Sequence, residues 1–264
     1  MSKEEIEKIT IFAGLNKLGE KENFKEIEIE KGKVIAIVGP TGAGKSQFLY
    51  DIEKLAQKDT KSKRNILINN EIPSKDIRFN PRRKMIASLA QSMNFLTDMS
   101  VKDFLQAHME SRGRKSNYDL LKEVIEEANK ITGEAISPEV NLLNLSGGQS
   151  RALMVSDVAN ISISPIVLID EIENAGIKKE EAIKILVKEG KIVLIVTHDP
   201  VLALNADKRI VIKDGGVVEI LNATSKEKKI ADYLSWIDNY NLDVREKIRQ
   251  GEEIKNLKID CRPI

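Results

Sequence analysis

The sequence contains only one cysteine, Cys261, among 264 residues, so an intrachain disulfide is excluded. Neither sign of charge is in excess, and the net charge of +1 gives no reason to expect a nucleic-acid partner. The N-terminus lacks the apolar segment of a signal peptide. The longest apolar runs, Val34–Val38, residues 166–169 and Ile192–Val196, are too short to cross a bilayer. We therefore expect a cytoplasmic protein. If it acts at a membrane, we expect another polypeptide to provide the membrane-spanning segments.

The same three apolar runs predict the central architecture. They are rich in Val and Ile and apolar throughout, which is typical of strands buried on both faces of a parallel sheet. Helical patterns separate them, and this alternation predicts an α/β fold with a mostly parallel sheet. A fourth run at residues 209–212, followed by Asp214-Gly215-Gly216, predicts an antiparallel hairpin at the edge.

Two stretches depart from this pattern and predict helices instead of buried strands. One is an inserted lobe with helical periodicity, and the other is a polar extension after the last strand. The predicted units are a core at residues 1–91 and 145–221, a helical lobe at 92–144 with helices at 101–109 and 118–131, and a C-terminal extension at 222–264 with helices at 226–237 and 244–257.

A glycine-rich segment after the first apolar run matches the phosphate-loop pattern G-x-x-x-x-G-K-[ST] in full. Its glycines let successive backbone N–H groups point at an anion, and the helix that follows adds its positive end. In this pattern Lys45 bridges the β- and γ-phosphates, and the Ser46 hydroxyl ligates Mg²⁺. The sequence therefore predicts a P-loop NTPase fold. The predicted nucleotide-binding residues of this segment are Gly39, Pro40, Thr41, Gly42, Ala43, Gly44, Lys45, Ser46 and Gln47.

An acid pair, Asp170 and Glu171, ends the second apolar run. Ligands of parallel sheets collect at the carboxyl ends of the strands. Asp170 is then placed to hold Mg²⁺ directly or through water, and Glu171 to orient or deprotonate the attacking water. Alone, such a pair is equally consistent with a solvated loop, but the phosphate loop upstream favours a shared site.

The segment Leu145-Ser146-Gly147-Gly148-Gln149 distinguishes this chain from other phosphate-loop proteins. It is the signature pentapeptide of the ATP-binding cassette superfamily, which the chain resembles from about residue 25 to 221. A serine and glycine amides at a helix start form a second anion cradle. The resemblance implies that Ser146, Gly147, Gly148 and Gln149 face the γ-phosphate held by an opposite subunit. It also implies that a homodimer, or a heterodimer with a related chain, hydrolyses Mg·ATP between its subunits.

The same resemblance gives roles to two further residues. Gln91 resembles the family's Q-loop glutamine at the start of the helical lobe, and His198 resembles the switch histidine that senses the γ-phosphate. The predicted catalytic residues are Lys45, Gln91, Glu171 and His198. The predicted metal ligands are Ser46, Gln91 and Asp170.

The chain also departs from the family pattern. Residues 172–177 lack the usual D-loop aspartate, so the coupling of the two sites is expected to differ. Members of the family stack adenine on an aromatic residue, and here Phe12 or Phe24 is available; we assign Phe12. Residues 54–84 are rich in Lys and Arg, which we interpret as a solvated edge, with docking to an acidic partner as the alternative.

Two functions remain open at this point. The first is an ATPase subunit that drives a membrane permease through an apolar contact. The residues of that contact would be Met93, Phe95, Leu96 and Met99. The second is a soluble ATPase that remodels or matures a cytosolic protein or cofactor enzyme, which residues 172–177 and the C-terminal extension favour. A non-hydrolytic sensor is disfavoured because the catalytic residues are all present.

Overall fold

The computed structural model describes residues 6–80, 83–90, 93–171 and 177–254. Strands and helices alternate along most of the chain. The strands are β1 (Lys8–Phe12), β2 (Glu26–Glu30), β3 (Val34–Val38), β4 (Asn65–Ile68), β5 (Ile86–Ala90), β6 (Ile166–Asp170), β7 (Ile192–Val196), β8 (Lys208–Lys213) and β9 (Gly216–Asn222). The helices are α1 (Lys45–Glu53), α2 (Lys75–Phe79), α3 (Val101–Ser111), α4 (Tyr118–Thr132), α5 (Gly147–Asn160), α6 (Lys179–Lys188), α7 (Pro200–Asn205) and α8 (Ser225–Arg249).

Six strands form the central sheet in the order β5-β6-β7-β3-β8-β9. Neighbouring strands from β5 to β8 are parallel, and β9 pairs with β8 in the antiparallel direction. The strands β3, β6 and β7 are the three apolar runs, and their central residues are buried on both faces. The structure therefore confirms the predicted α/β fold with a mostly parallel sheet and an antiparallel edge.

A second sheet is antiparallel, with the order β2-β1-β4. In β2 the sequence Glu-Ile-Glu-Ile-Glu alternates, so Ile27 and Ile29 are buried while the glutamates face solvent. These isoleucines share a hydrophobic core with Phe48 of α1 and with one face of the central sheet. The apolar runs of the sequence did not predict this sheet, because its strands are short and only half apolar.

The helices predicted at residues 101–109 and 118–131 are present as α3 and α4. Ser100 caps α3 by accepting a hydrogen bond from the Asp103 N–H, and Asn117 caps α4 in the same way. The helix α4 ends at Thr132 and is capped by Gly133, whose φ of 74° suits glycine. The buried faces of both helices pack with α5 and with the other face of the central sheet.

Within its described residues, 222–254, the C-terminal extension forms one helix, α8. The prediction of a break between two helices at 226–237 and 244–257 is wrong, because α8 is continuous from Ser225 to Arg249. Residues 238–243 contain no glycine or proline, and the i, i+4 pair between Asp243 and Lys247 supports the continuous helix. The helix ends at Arg249, before Gly251, which has a φ of 74°. Across the described ranges, no helix combines the length and the apolar character that a membrane crossing requires.

Candidate functional site

The glycine-rich segment connects β3 to α1, and two of its glycines, Gly39 and Gly44, leave no space for a Cβ atom. A Cβ atom on Gly39 would lie 2.2 Å from the Ile212 carbonyl oxygen, and one on Gly44 would lie 2.8 Å from the Cα atom of Gly215. Gly44 caps α1 in the left-handed region and supplies no side-chain oxygen to the first turn. The loop and the start of α1 therefore offer their own N–H groups as an anion cradle.

Lys45, the first residue of α1, is 7% exposed. Its ammonium donates hydrogen bonds to the carbonyl oxygens of Gly39 (2.8 Å) and Pro40 (3.2 Å) within the loop. The neighbouring Ser46 side chain is exposed, while the Gln47 side chain donates back along the helix to Asp51 (2.9 Å). A buried cation beside an exposed hydroxyl fits a phosphate group with its counter-ion.

The sheet order brings the acid pair and the histidine beside this loop. Asp170 is the last residue of β6, and His198 lies two residues beyond β7, which runs between β6 and β3. Glu171 follows with a φ of 51°, and its N–H donates to the Val196 carbonyl oxygen (3.1 Å). A positive φ is uncommon for a residue with a side chain and is typical of functional sites.

His198 connects the carboxylate to the lysine. Its Nε2 atom lies 3.8 Å from Glu171 Oε1 and 3.3 Å from Lys45 Nζ. Both side chains of the His198–Glu171 pair are partly exposed, so a ligand can reach them. The structure thus brings together three of the predicted catalytic residues. Gln91, the fourth, lies outside the described residues, as do residues 172–176 of the atypical D-loop segment.

The predicted second cradle is the start of α5. The Ser146 hydroxyl accepts from the Gln149 N–H (3.1 Å), and the Gln149 side chain accepts from the Ser146 N–H (3.0 Å), which forms a capping box. Ser146 and Gly147 are exposed. The Ser146 hydroxyl also donates to Glu134 (3.4 Å), and the Gln149 amide donates to the Ala135 carbonyl oxygen. The N-terminal end of α5 is therefore held by residues of the segment before it. The phosphate loop of the same chain takes no part in these hydrogen bonds.

A small, mostly apolar cavity lies between α5 and the acid pair. Its lining combines the ends of β5 and β6 with one face of α5. The lining residues are Leu89, Ala90, Met93, Arg151, Met154, Val155, Ile169, Asp170 and Glu171.

The predicted adenine-stacking residue, Phe12, ends β1 and is half-buried, opposite Glu26 and Asn65. Among the residues of the predicted apolar contact, Leu96 is 92% exposed. Phe95 instead packs edge-on against Phe104 of α3, with ring centroids 5.0 Å apart.

The interpretation of residues 54–84 as a solvated edge is wrong for Arg64, which is fully buried. Its guanidinium donates to both carboxylate oxygens of Glu22 (2.9 and 2.6 Å), to Asp51 (2.7 Å) and to the Gly215 carbonyl oxygen (2.9 Å). The sequence carried one signal of this cluster, because Asp51 stands on the apolar face of α1 between Phe48 and Ile52 and needs a cationic partner there.

A second ionic group that sequence reasoning missed lies beside His198. Lys179, at the start of α6, pairs with Asp199 and lies 3.8 Å from Asp238 of α8. Asp199 caps α7 by accepting from the Leu202 N–H (3.0 Å). The residue next to His198 is therefore held by α6, and α6 is in turn in contact with α8.

Comparisons with known proteins identify the family of the chain. Residues 24–174 match the family model described as ABC transporter. An uncharacterized ABC transporter ATP-binding protein of Methanocaldococcus jannaschii is 54% identical over 250 residues, covering 95% of this chain and 95% of that protein. The macrolide export ATP-binding/permease protein MacB of Campylobacter jejuni is 31% identical over 226 residues, covering 80% of this chain. The match spans 33% of the length of that MacB protein.

Solved structures show the same fold. The structure of CbiO1 from Clostridium perfringens, part of the ABC transporter complex CbiONQ, has a TM-score of 0.59 at 24% identity and covers 92% of this chain and 97% of that one. An ATP-binding subunit of an ABC transporter has a TM-score of 0.60 at 15% identity, covering 81% of this chain and 89% of that one.

Proposed function

The chain belongs to the ABC transporter family of ATP-hydrolysing proteins, and from that premise we propose that it binds Mg·ATP between two subunits to drive a separate membrane permease. The observation that carries the proposal is the convergence of Lys45, Glu171 and His198 at the ends of three adjacent parallel strands. The chain would act at the inner face of the membrane, where ATP is available.

The phosphate loop binds the nucleotide in this proposal. Backbone N–H groups of the loop and of the first turn of α1 bind the phosphates, and Lys45 exchanges its carbonyl acceptors for β- and γ-phosphate oxygens. Phe12 stays our assignment for the adenine contact. Ser46 and Asp170 offer the oxygen ligands that Mg²⁺ prefers, with Gln91 added by the family resemblance. When bound there, Mg²⁺ would neutralise part of the phosphate charge.

Hydrolysis requires a positioned water and a stabilised γ-phosphate. Glu171 accepts a proton from the attacking water, because its carboxylate is partly exposed at the strand edge that faces the phosphate loop. His198 lies close enough to contact the γ-phosphate, since its Nε2 atom is 3.3 Å from Lys45 Nζ. In the tautomer that carries the proton on Nε2, it donates a hydrogen bond to that phosphate.

The second subunit contributes the start of α5. Ser146 and Gly147 are exposed, and the capping box holds this helix start in shape without help from the phosphate loop. In a head-to-tail dimer, each cradle would face the γ-phosphate of the other subunit. The opposite subunit is a second copy of this chain or a related ATPase chain.

The comparisons support a membrane permease as the partner that the ATPase drives. CbiO1 belongs to a transporter complex, and MacB is an ATP-binding and permease protein. The exposed Leu96, in the segment between β5 and α3, offers an apolar contact to a permease. Service to a cytosolic client protein is the competing function.

The experiment is capture from detergent-solubilised membranes and from soluble extract, with the wild-type chain and a Leu96→Asp variant as baits. We expect the wild type to retain a membrane-spanning protein that raises its ATPase rate, and Leu96→Asp to lose it. Retention of a soluble protein alone, with equal recovery by both baits, would favour the cytosolic client instead.

A further inference from the structure

The loop between β1 and β2 is an ordered turn built around Asn16. The Asn16 side-chain oxygen accepts hydrogen bonds from the N–H groups of Leu18 and Glu20 (2.9 Å each). Its own N–H donates to the Glu20 carbonyl oxygen (2.9 Å), and Gly19 takes a φ of 80°. The turn therefore holds a fixed shape and presents Lys17 at a defined position.

Buried ionic contacts attach this turn to the hairpin between β8 and β9. The Glu22 carboxylate accepts from the N–H groups of Gly14 (2.8 Å) and Val217 (2.7 Å), and its charge is paired with Arg64. Arg64 also donates to the Gly215 carbonyl oxygen (2.9 Å). The base of the turn and the tip of the hairpin are thus held by one buried cluster.

The tip of the hairpin in turn contacts the phosphate loop. The Gly215 N–H donates to the Ala43 carbonyl oxygen (2.7 Å), and the Lys17 N–H donates to the Asp214 carbonyl oxygen (2.8 Å). A Cβ atom on Gly215 would lie 2.6 Å from the Cγ atom of Lys17. The Lys17 stem therefore lies across Gly215, and its ammonium donates to the Gly42 carbonyl oxygen (2.5 Å) of the phosphate loop.

This arrangement places a second lysine at the phosphate loop. Lys17 comes from the turn between β1 and β2, whereas Lys45 belongs to the phosphate-loop motif itself. Within the described residues, no carboxylate forms an ion pair with Lys17, and its side chain is exposed. An ammonium has three donors, and the Gly42 carbonyl uses one of them. A cation so placed, beside a loop that binds a polyanion, is suited to bind that anion.

We propose that Lys17 is a second phosphate-binding lysine, whose ammonium binds the triphosphate chain of the nucleotide. The inference rests on the proposed function, because it requires that the phosphate loop hold a nucleoside triphosphate. The ammonium is a cation and the phosphate chain is the anionic part of the nucleotide, so the contact is assigned to phosphate and not to the base.

The test is a set of dissociation constants for ATP and for inorganic tripolyphosphate, which lacks a base. The variants are Lys17→Ala, Lys17→Arg and, as the matched control from the other end of the same turn, Lys21→Ala. We expect Lys17→Ala to weaken both ligands about three- to tenfold, as the loss of one partly exposed charged hydrogen bond requires. Lys17→Arg should stay within about twofold of the wild type because the positive charge is kept.

Two results would overturn this inference and leave the proposed function intact. One is equal affinity of Lys17→Ala and Lys21→Ala for ATP, while Lys45→Ala loses ATP. The other is a loss of ATP affinity by Lys17→Ala with unchanged tripolyphosphate affinity, which would place Lys17 at the base or ribose. If the wild type itself does not bind ATP, both this inference and the proposed function fail.

Discussion

The Nζ atom of Lys45 lies 3.3 Å from the Nε2 atom of His198, although 153 positions separate the two residues in sequence. The contact exists because β7 pairs directly with β3 in the parallel direction, which brings Ile37 level with Val196. Glu171 joins the pair because β6 is the next strand. The parallel sheet therefore assembles the candidate site from three separate stretches of the chain.

Lys45→Ala should abolish most nucleotide binding. The ammonium of Lys45 is buried within the loop, and its loss removes the charged partner proposed for the β- and γ-phosphates. We expect the dissociation constant for ATP to rise at least about tenfold in a fluorescence titration. The control is Lys61→Ala, which changes an exposed lysine outside the phosphate loop. This variant should bind ATP as the wild type does. Tight ATP binding by Lys45→Ala would refute the assignment of the phosphate loop.

Lys179→Ala should slow hydrolysis while leaving nucleotide affinity nearly unchanged. Lys179 pairs with Asp199, which follows His198 directly and caps α7, so its loss frees the backbone that carries the histidine. We expect kcat to fall roughly three- to tenfold with KM within about twofold, which steady-state ATPase assays measure. Lys184→Ala, on the exposed side of the same helix, is the matched control. A change in KM alone would contradict the positioning role.

Arg64→Met should destabilise the fold strongly. The change leaves the buried carboxylates of Glu22 and Asp51 without their cation, and breaking such a pair costs about 3–5 kcal/mol. The free energy of unfolding in urea measures the loss. Arg83→Met removes an exposed pair with Asp76 and should cost less than about 1 kcal/mol. If the two variants lose similar free energies of unfolding, the buried cluster does not stabilise the fold more than an exposed ion pair does.

The attachment of α8 should loosen in acid. A hydrogen bond from Arg209, followed by hydrogen bonds from Thr224, lowers the pKa of Glu227 from 4.5 to about 2. Because the pKa is lower in the folded chain, the stabilisation by the ionised carboxylate is present above pH 4.5 and is lost as the pH falls towards 2. Trp236, the only tryptophan, stacks between Tyr233 and Tyr240 on α8, and its fluorescence reports the change.

The control for this acid transition is the Glu227→Gln variant. It lacks the titrating carboxyl, so we expect the fluorescence step between pH 4.5 and 2 to shrink markedly in it. Glu219→Gln, an exposed change on β9, should keep the full step. Identical titrations of wild type and Glu227→Gln would mean that other groups control the attachment of α8.

The parts of the fold that the sequence predicts are those in which local pattern and tertiary environment agree. The strands β3, β6 and β7 are apolar throughout because both of their faces are buried, and each is followed by residues of the candidate site. The phosphate loop could be predicted because its pattern of glycines, lysine and serine is local in the sequence. The structure adds that Gly39 and Gly44 lie where a Cβ atom would clash with Ile212 and Gly215.

The parts that could not be predicted depend on distant partners. Arg64 looks like one more cation of a basic stretch until Glu22, 42 positions away, and Asp51 are placed beside it. Lys17 looks like an ordinary loop lysine until the hairpin tip at Gly215 places it on the phosphate loop. The continuous α8 was missed because asparagine and aspartate are weak helix formers, yet they do not break a helix as glycine or proline would.

The central claim is that ATP is bound between two subunits, and light scattering after size-exclusion chromatography of Glu171→Gln with Mg·ATP tests it most directly. Removal of the base leaves both anion cradles intact, so the ATP-bound dimer should persist at twice the 29.6 kDa of one chain. The Glu171→Gln, Ser146→Arg double variant should remain monomeric while binding ATP. A Glu171→Gln chain that binds ATP and still elutes only as a monomer would contradict the account.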